Sequence, residues 1–177
     1  MCDFAQTPDA TSLRSAVLEA FEHSNLTSLE PSITSRIASL QREVSPWSIK
    51  YISEEQEWLQ ALLDKADKED ILRRIPLTLV DPKLGVLLLP LVMTLESPEP
   101  LNLGRGVLEC GLFPHFGKPP RLLLELEQSG TRSQIDVVCR YVYYCVERYE
   151  LSAIDAWQGF WNTYCHNLNN SSGGVTV

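Results

Sequence analysis

The sequence predicts a single all-α bundle of about seven or eight helices, and three observations carry that expectation. Apolar residues recur at three- and four-residue spacings through most of the 177 positions. Prolines and polar clusters cut the chain into pieces of helix length. No stretch alternates apolar and polar residues convincingly, and a short isolated strand would have nothing to pair with. With 44% hydrophobic and 21% charged residues, the chain is sized and composed for one domain with its own core. That domain is expected over 1–168, followed by a flexible polar tail at 169–177.

Leu13, Val17 and Phe21 define the first helix, with Thr11 and Ser12 as candidate caps. "NLTSLEPS" reads as a turn. Ile33, Ile37, Leu40 and Val44 form one stripe of a second helix that Pro46 ends. "SEEQEWLQALLDKA" starts a third helix at Ser53, with Glu54, Glu55 and Glu57 as a solvated, dipole-compatible beginning. Its buried face is Trp58, Leu59, Leu62 and Leu63.

Pro76, Pro82 and Pro90 divide the next stretch. "LTLV" and "GVLLL" also suit a buried strand, but helix is the expectation, with Pro90 opening or kinking its last piece. "SPEPLN" is a connector, "LNLGRGVLECGLF" a short helix over 101–113, and "PHFGKPPR" a loop. "RLLLELEQSG" is a short helix closed by Gly130. "SQIDVVCRYVYYCVERYEL" is the strongest helix, apolar on nearly all sides, and is expected at the centre of the bundle. "SAIDAWQGFWNTYCHNLNN" finishes the fold, with Ser152 and Asp155 as candidate caps.

A net charge of -8 and a pI near 4.9 disfavour nucleic acid and anionic membrane surfaces, which require clustered cations. "MCDFAQTPDATS" lacks the basic start and apolar centre of a secretory leader. The longest apolar run, 84–93, is short of the roughly 20 residues a bilayer requires, so no direct membrane anchor is expected. Five cysteines, Cys2, Cys110, Cys139, Cys145 and Cys165, form an odd set without close pairing, as in a reduced cytoplasmic chain with buried thiols.

Catalytic and metal chemistry find no footing. His23, His115 and His166 are scattered, so no metal site is expected. Cys139 and Cys145 lie six apart on a helix and therefore on different faces. "GRGVLECG" lacks the lysine and spacing of a phosphate loop. The chain is therefore expected to be no enzyme and to carry no cofactor. Tyr141, Tyr143, Tyr144, Tyr149, Trp157, Phe160, Trp161 and Tyr164 crowd the last third, where burial of each contributes about 2 kcal/mol to a core.

Gly104 and Gly106 flank Arg105, and each glycine costs a helix about 1 kcal/mol relative to alanine. A tight helix crossing with an exposed arginine is the plain explanation. The functional one is that another backbone lies close here while Arg105 pairs with an acid on it.

"NLGRGVLECGLF" resembles the first homology motif of the Bcl family, the B-cell-lymphoma-two regulators of apoptosis, written NWGR before an apolar helix. "GFWNTYCHNL" resembles the second motif: Gly159, Trp161, Thr163 and Tyr164 match, and Asn162 stands where an acid is usual. "VVCRYVYYCVERYEL" is similar to the apolar helix that precedes that motif. The likeness spans residues 84–170. It departs from the pattern at Leu103, in place of tryptophan, and at Pro114, which limits the 101–113 helix to about 20 Å. The family's hydrophobic C-terminal anchor is missing. Such divergence is typical of members carried by large DNA viruses.

The resemblance implies a Bcl-like bundle around a central apolar helix. Its function would be to inhibit apoptosis by sequestering amphipathic pro-death helices in an apolar surface groove. Arg105 would pair with the ligand's aspartate, Asn102 would cap and hydrogen-bond nearby, and Gly104 would admit the ligand backbone. Val92, Leu95, Val107 and Leu108 would line the groove with Ile37 and Leu40. The second helix, "ITSRIASLQREV", lacks the Gly-Asp pair of a strong death motif, which favours sequestering over killing. The rival expectation is a non-enzymatic all-α interaction or scaffold protein, viral or cellular, acting through homodimer or host-protein contacts. In that case "LGRG" is only a helix crossing.

Overall fold

A computed structural model describes residues 9–22, 26–42, 49–64, 71–72, 81–94, 111–112, 114, 118–147 and 151–170. Among them are seven helices and no strand: α1 (Ala10–Ala20), α2 (Leu26–Leu40), α3 (Ile49–Leu63), α4 (Pro82–Met93), α5 (Arg121–Ser129), α6 (Arg132–Val146) and α7. The last, α7, runs in three parts, Leu151–Ala156, a wide π-helical turn at Trp157–Trp161, and Asn162–Asn170. The expected all-α bundle is therefore present.

Each helix forms where its apolar stripe predicts, and most differences lie at the ends. In α1 the stripe of Leu13, Val17 and Phe21 is buried. Its cap is Asp9, whose carboxylate accepts the Ser12 amide at 2.9 Å, so Thr11 and Ser12 lie inside the helix. The second helix starts at Leu26, making most of "NLTSLEPS" helix instead of turn. Pro31 lies inside it on the exposed side, away from the buried stripe of Leu29, Ile33, Ile37 and Leu40. Val44 and Pro46 lie outside the described residues.

Helix α3 begins at Ile49, four positions before Ser53, which therefore does not cap it. One of the expected surface acids faces inward. Glu55 is only 2% exposed and takes a two-pronged ion pair from Arg36 of α2: Nε to Oε1 at 2.8 Å and Nη2 to Oε2 at 3.1 Å. The planar fork of arginine matches a carboxylate in this geometry. Glu55 is thus no solvated helix start. Trp58, Leu59 and Leu62 are buried beside it, and the Trp58 indole donates to the Ile71 carbonyl at 2.8 Å.

Helix α4 is capped by Asp81, which accepts the amides of Lys83 and Leu84. Pro82 follows at the first helical position, where a missing N–H costs nothing. "GVLLL" is helix, as expected, and Pro90 lies inside it without ending it. Thr94 closes the helix with its amide and hydroxyl, both donating to the Pro90 carbonyl. Leu84, Gly85, Val86, Leu88, Leu89, Pro90, Val92 and Met93 are all buried, so α4 is enclosed on nearly every side, packed by α1, α2 and α5.

Helix α6 packs on α1, α5 and α7. It opens with a capping box in which Thr131 and Gln134 satisfy each other's backbone amides. Ile135, Val137, Val138, Cys139, Tyr141, Val142 and Cys145 are buried, while Asp136 and Arg140 form an ion pair at 2.9 Å on its outer side. It therefore has a solvent face and is not apolar all round. In α7, Ser152 and Asp155 both fall within the first helical part, so neither stands at its start. The helix continues to Asn170, past the expected boundary at 168, and 171–177 lie outside the described residues.

Truncating Arg36 to alanine strips Glu55 of its guanidinium and is expected to cost about 3 kcal/mol, measured as a lower denaturant midpoint. Replacing the pair together, Arg36→Met with Glu55→Leu, is expected to restore most of that loss. A double variant no more stable than Arg36→Ala would contradict this account of the pair.

Candidate functional site

The two segments that carry the resemblance meet through one buried hydrogen bond. The indole nitrogen of Trp161 donates to the backbone carbonyl of Leu112 at 2.7 Å, and both residues are completely buried. A buried indole N–H needs such a partner, since leaving it unpaired costs about 1–3 kcal/mol.

Trp161 ends the wide turn of α7, where the Asn162 amide reaches back five residues to the Trp157 carbonyl. Such a turn adds one residue to the helix and rotates the residues beyond it relative to those before. Aromatic rings pack around it. Phe160 stacks on Tyr164 at 5.6 Å, and Trp161 meets both edge-on, at 5.6 and 5.8 Å. The Tyr164 hydroxyl donates to Glu127 Oε1 at 2.7 Å, joining α7 to α5. Burial, and then that carboxylate, push the Tyr164 hydroxyl above its ordinary range.

Leu112 is held from a second side. Leu122 of α5 presses into a hollow left by two glycines, Gly85 of α4 and Gly111. A β-carbon at Gly85 would lie 2.6 Å from Leu122 Cδ2, and one at Gly111 only 2.4 Å from Cδ1. A side chain at either position would push the Leu122 side chain aside, so Leu122 is seated against both glycines.

The expected site residues divide into three groups. Asn102, Gly104, Arg105, Val107, Leu108 and Leu95 lie outside the described residues. Val92, Ile37 and Leu40 are buried at 2%, 9% and 1% exposure. In this packing they belong to the buried core of the free chain. Of the second-motif residues, Trp161 is fully buried, Tyr164 is half-buried and Thr163 is exposed. Gly159 is exposed and has nothing within 4 Å of where a β-carbon would sit, so packing within the described chain does not require a glycine there.

Other features describe what the surface offers. A shallow hollow runs along α3, lined by Ser53, Gln56, Glu57, Gln60, Ala61 and Asp64. No group of three histidine, cysteine or acidic side chains gathers as a metal site among the described residues. No helix among them is long and apolar enough to cross a membrane. Cys139, Cys145 and Cys165 are buried free thiols, as expected of the first two. The neighbouring Cys165, and then burial, push the Cys139 thiol above its ordinary range.

Sequence reasoning also missed the Arg36–Glu55 pair. A signal was present, because Glu55 falls three and four positions before Trp58 and Leu59, on the helix face that turns inward.

No protein-family model, curated protein or solved structure matches this chain.

Cys139 and Tyr164 keep protons in the fold that the unfolded chain releases from about pH 9 and pH 10 respectively. In alkali the folded state then binds more protons than the unfolded one, so stability present at neutral pH is lost as pH rises. The thermal midpoint is expected to fall above about pH 9. The double variant Cys139→Ser, Tyr164→Phe should fall less steeply, and an unchanged slope would reject the assignment.

Proposed function

We propose that the chain is an apoptosis inhibitor of Bcl type that sequesters amphipathic pro-death helices in an apolar surface groove, with Arg105 as its anchoring cation. The observation that carries this reading is the buried Trp161–Leu112 hydrogen bond. It joins the two segments that carry the motif resemblance across 49 positions of sequence, and that juxtaposition supports the reading.

The mechanism is binding, not catalysis. An incoming helix would lay its apolar face in the groove, and Gly104 would let its backbone approach. Arg105 would meet a carboxylate on that helix where water is largely excluded. Truncating one member of such a desolvated pair typically costs about 2–5 kcal/mol. Because Ile37, Leu40 and Val92 are closed in the free chain, binding would include a local opening that moves α2 from α4, and the ligand would have to offset its cost. The protein would act in the cytoplasm without a cofactor and without a membrane span of its own.

Titration of the purified chain with helical death-motif peptides is expected to give saturable binding. Arg105→Glu should weaken it by about tenfold or more, roughly 1.4 kcal/mol, with an unchanged far-ultraviolet circular dichroism spectrum. A folded chain that binds none of these peptides would remove the proposal and leave an all-α scaffold whose "LGRG" is a helix crossing.

A further inference from the structure

One face of α7 is left open to solvent. Asp155, Gly159, Thr163 and His166, at spacings of four, four and three, are all exposed, while Ala156, Trp161 and Cys165 turn inward. In a regular helix every fourth residue advances by about 40° around the axis. The wide turn at Trp157–Trp161 takes up part of that drift, so Asp155, Gly159 and Thr163 fall nearly in one line. Phe160 and Tyr164, stacked at 5.6 Å and half-buried, border that line.

Glycine weakens an exposed helical position more than any residue but proline. Nothing lies within 4 Å of where a β-carbon of Gly159 would sit, so the described chain does not require the glycine. A second backbone crossing the helix there would require it.

The charges along the helix indicate whose backbone that is. From 156 to 170, α7 carries no acid, lysine or arginine, so two chains of net charge -8 can meet on it with little repulsion. Its one acid, Asp155, lies four positions before Gly159, and Thr163 and His166 lie four and seven after it. Neither Asp155 nor His166 is ion-paired among the described residues. About a twofold axis at Gly159, the acid of one protomer faces the hydroxyl and imidazole of its partner, and the contact is made twice. We propose that α7 docks antiparallel on α7 of a second copy, crossing at Gly159, with Asp155 of each protomer paired to Thr163 and His166 of the other. This inference goes beyond peptide binding and does not depend on it.

Sedimentation velocity of the full chain over concentrations up to about 100 μM tests the dimer. The expected result is a shift from a single chain of 20.0 kDa toward twice that mass as concentration rises. Gly159→Leu puts a side chain into the crossing and should weaken self-association by about tenfold or more. The monomer has room for that side chain, so its circular dichroism spectrum and its thermal midpoint in dilute solution should be kept. Asp155→Lys puts a cation where the acceptor stood, and His166→Asp sets acid against acid, so each variant alone should stay monomeric. Their equimolar mixture should dimerise, because the new cation of one meets the new acid of the other while the second contact keeps its native pair. A 20.0 kDa species at every concentration, association unchanged by Gly159→Leu, or a mixture no more dimeric than the single variants would overturn the proposal.

Discussion

The hydrogen bond from the Trp161 indole to the Leu112 carbonyl is the contact around which the second half of the molecule is arranged. Its donor sits where α7 widens, and its acceptor sits in the helical pair 111–112, whose Gly111 lies against Leu122. Helix α7 thus reaches Leu112 directly and α5 reaches Gly111 through Leu122, whose side chain also lies against Gly85 of α4. Tyr164 and Glu127 add a second polar tie between α5 and α7 nearby. A polar bond buried at such a junction contributes direction more than net energy, because its loss strands a donor while its gain only replaces water.

The first half uses a different device for the same purpose. Arg36 and Glu55 join α2 to α3 through two short hydrogen bonds in a setting where both groups have shed most of their water. Apolar side chains could fill that space with equal or greater stability. Ile33, Ile37, Leu59 and Leu62 are buried in the same core, and the ion pair adds a directional contact between the two helices that carry them. Each half of the bundle thus pairs an apolar seam with one directional contact.

Much of the fold was legible because its signals are local. The stripes at Leu13, Val17 and Phe21, and at Ile33, Ile37 and Leu40, identify buried faces from spacing alone. Helix starts were less legible, since Asp9, Ser12 and Thr11 are all credible caps and geometry chooses Asp9. Neighbouring acids disguised Glu55, although its place in the inward stripe pointed the other way. Contacts between distant parts left no trace in spacing. Trp161 and Leu112 could not be paired without the fold, although the motif resemblance brought their segments under suspicion. Ile37, Leu40 and Val92 show the opposite limit, because apolar periodicity marks burial but does not separate a core from a groove wall.

If the Trp161 bond anchors the 111–112 turn, removing its donor should loosen that place before any other. Amide hydrogen exchange in Trp161→Phe, compared with the unaltered chain, tests this directly. The account predicts faster exchange at Gly111, Leu112 and the adjoining turn of α7, with α2 and α3 protected as before. Unchanged exchange at Gly111 and Leu112, or an equal rise across all seven helices, would contradict it.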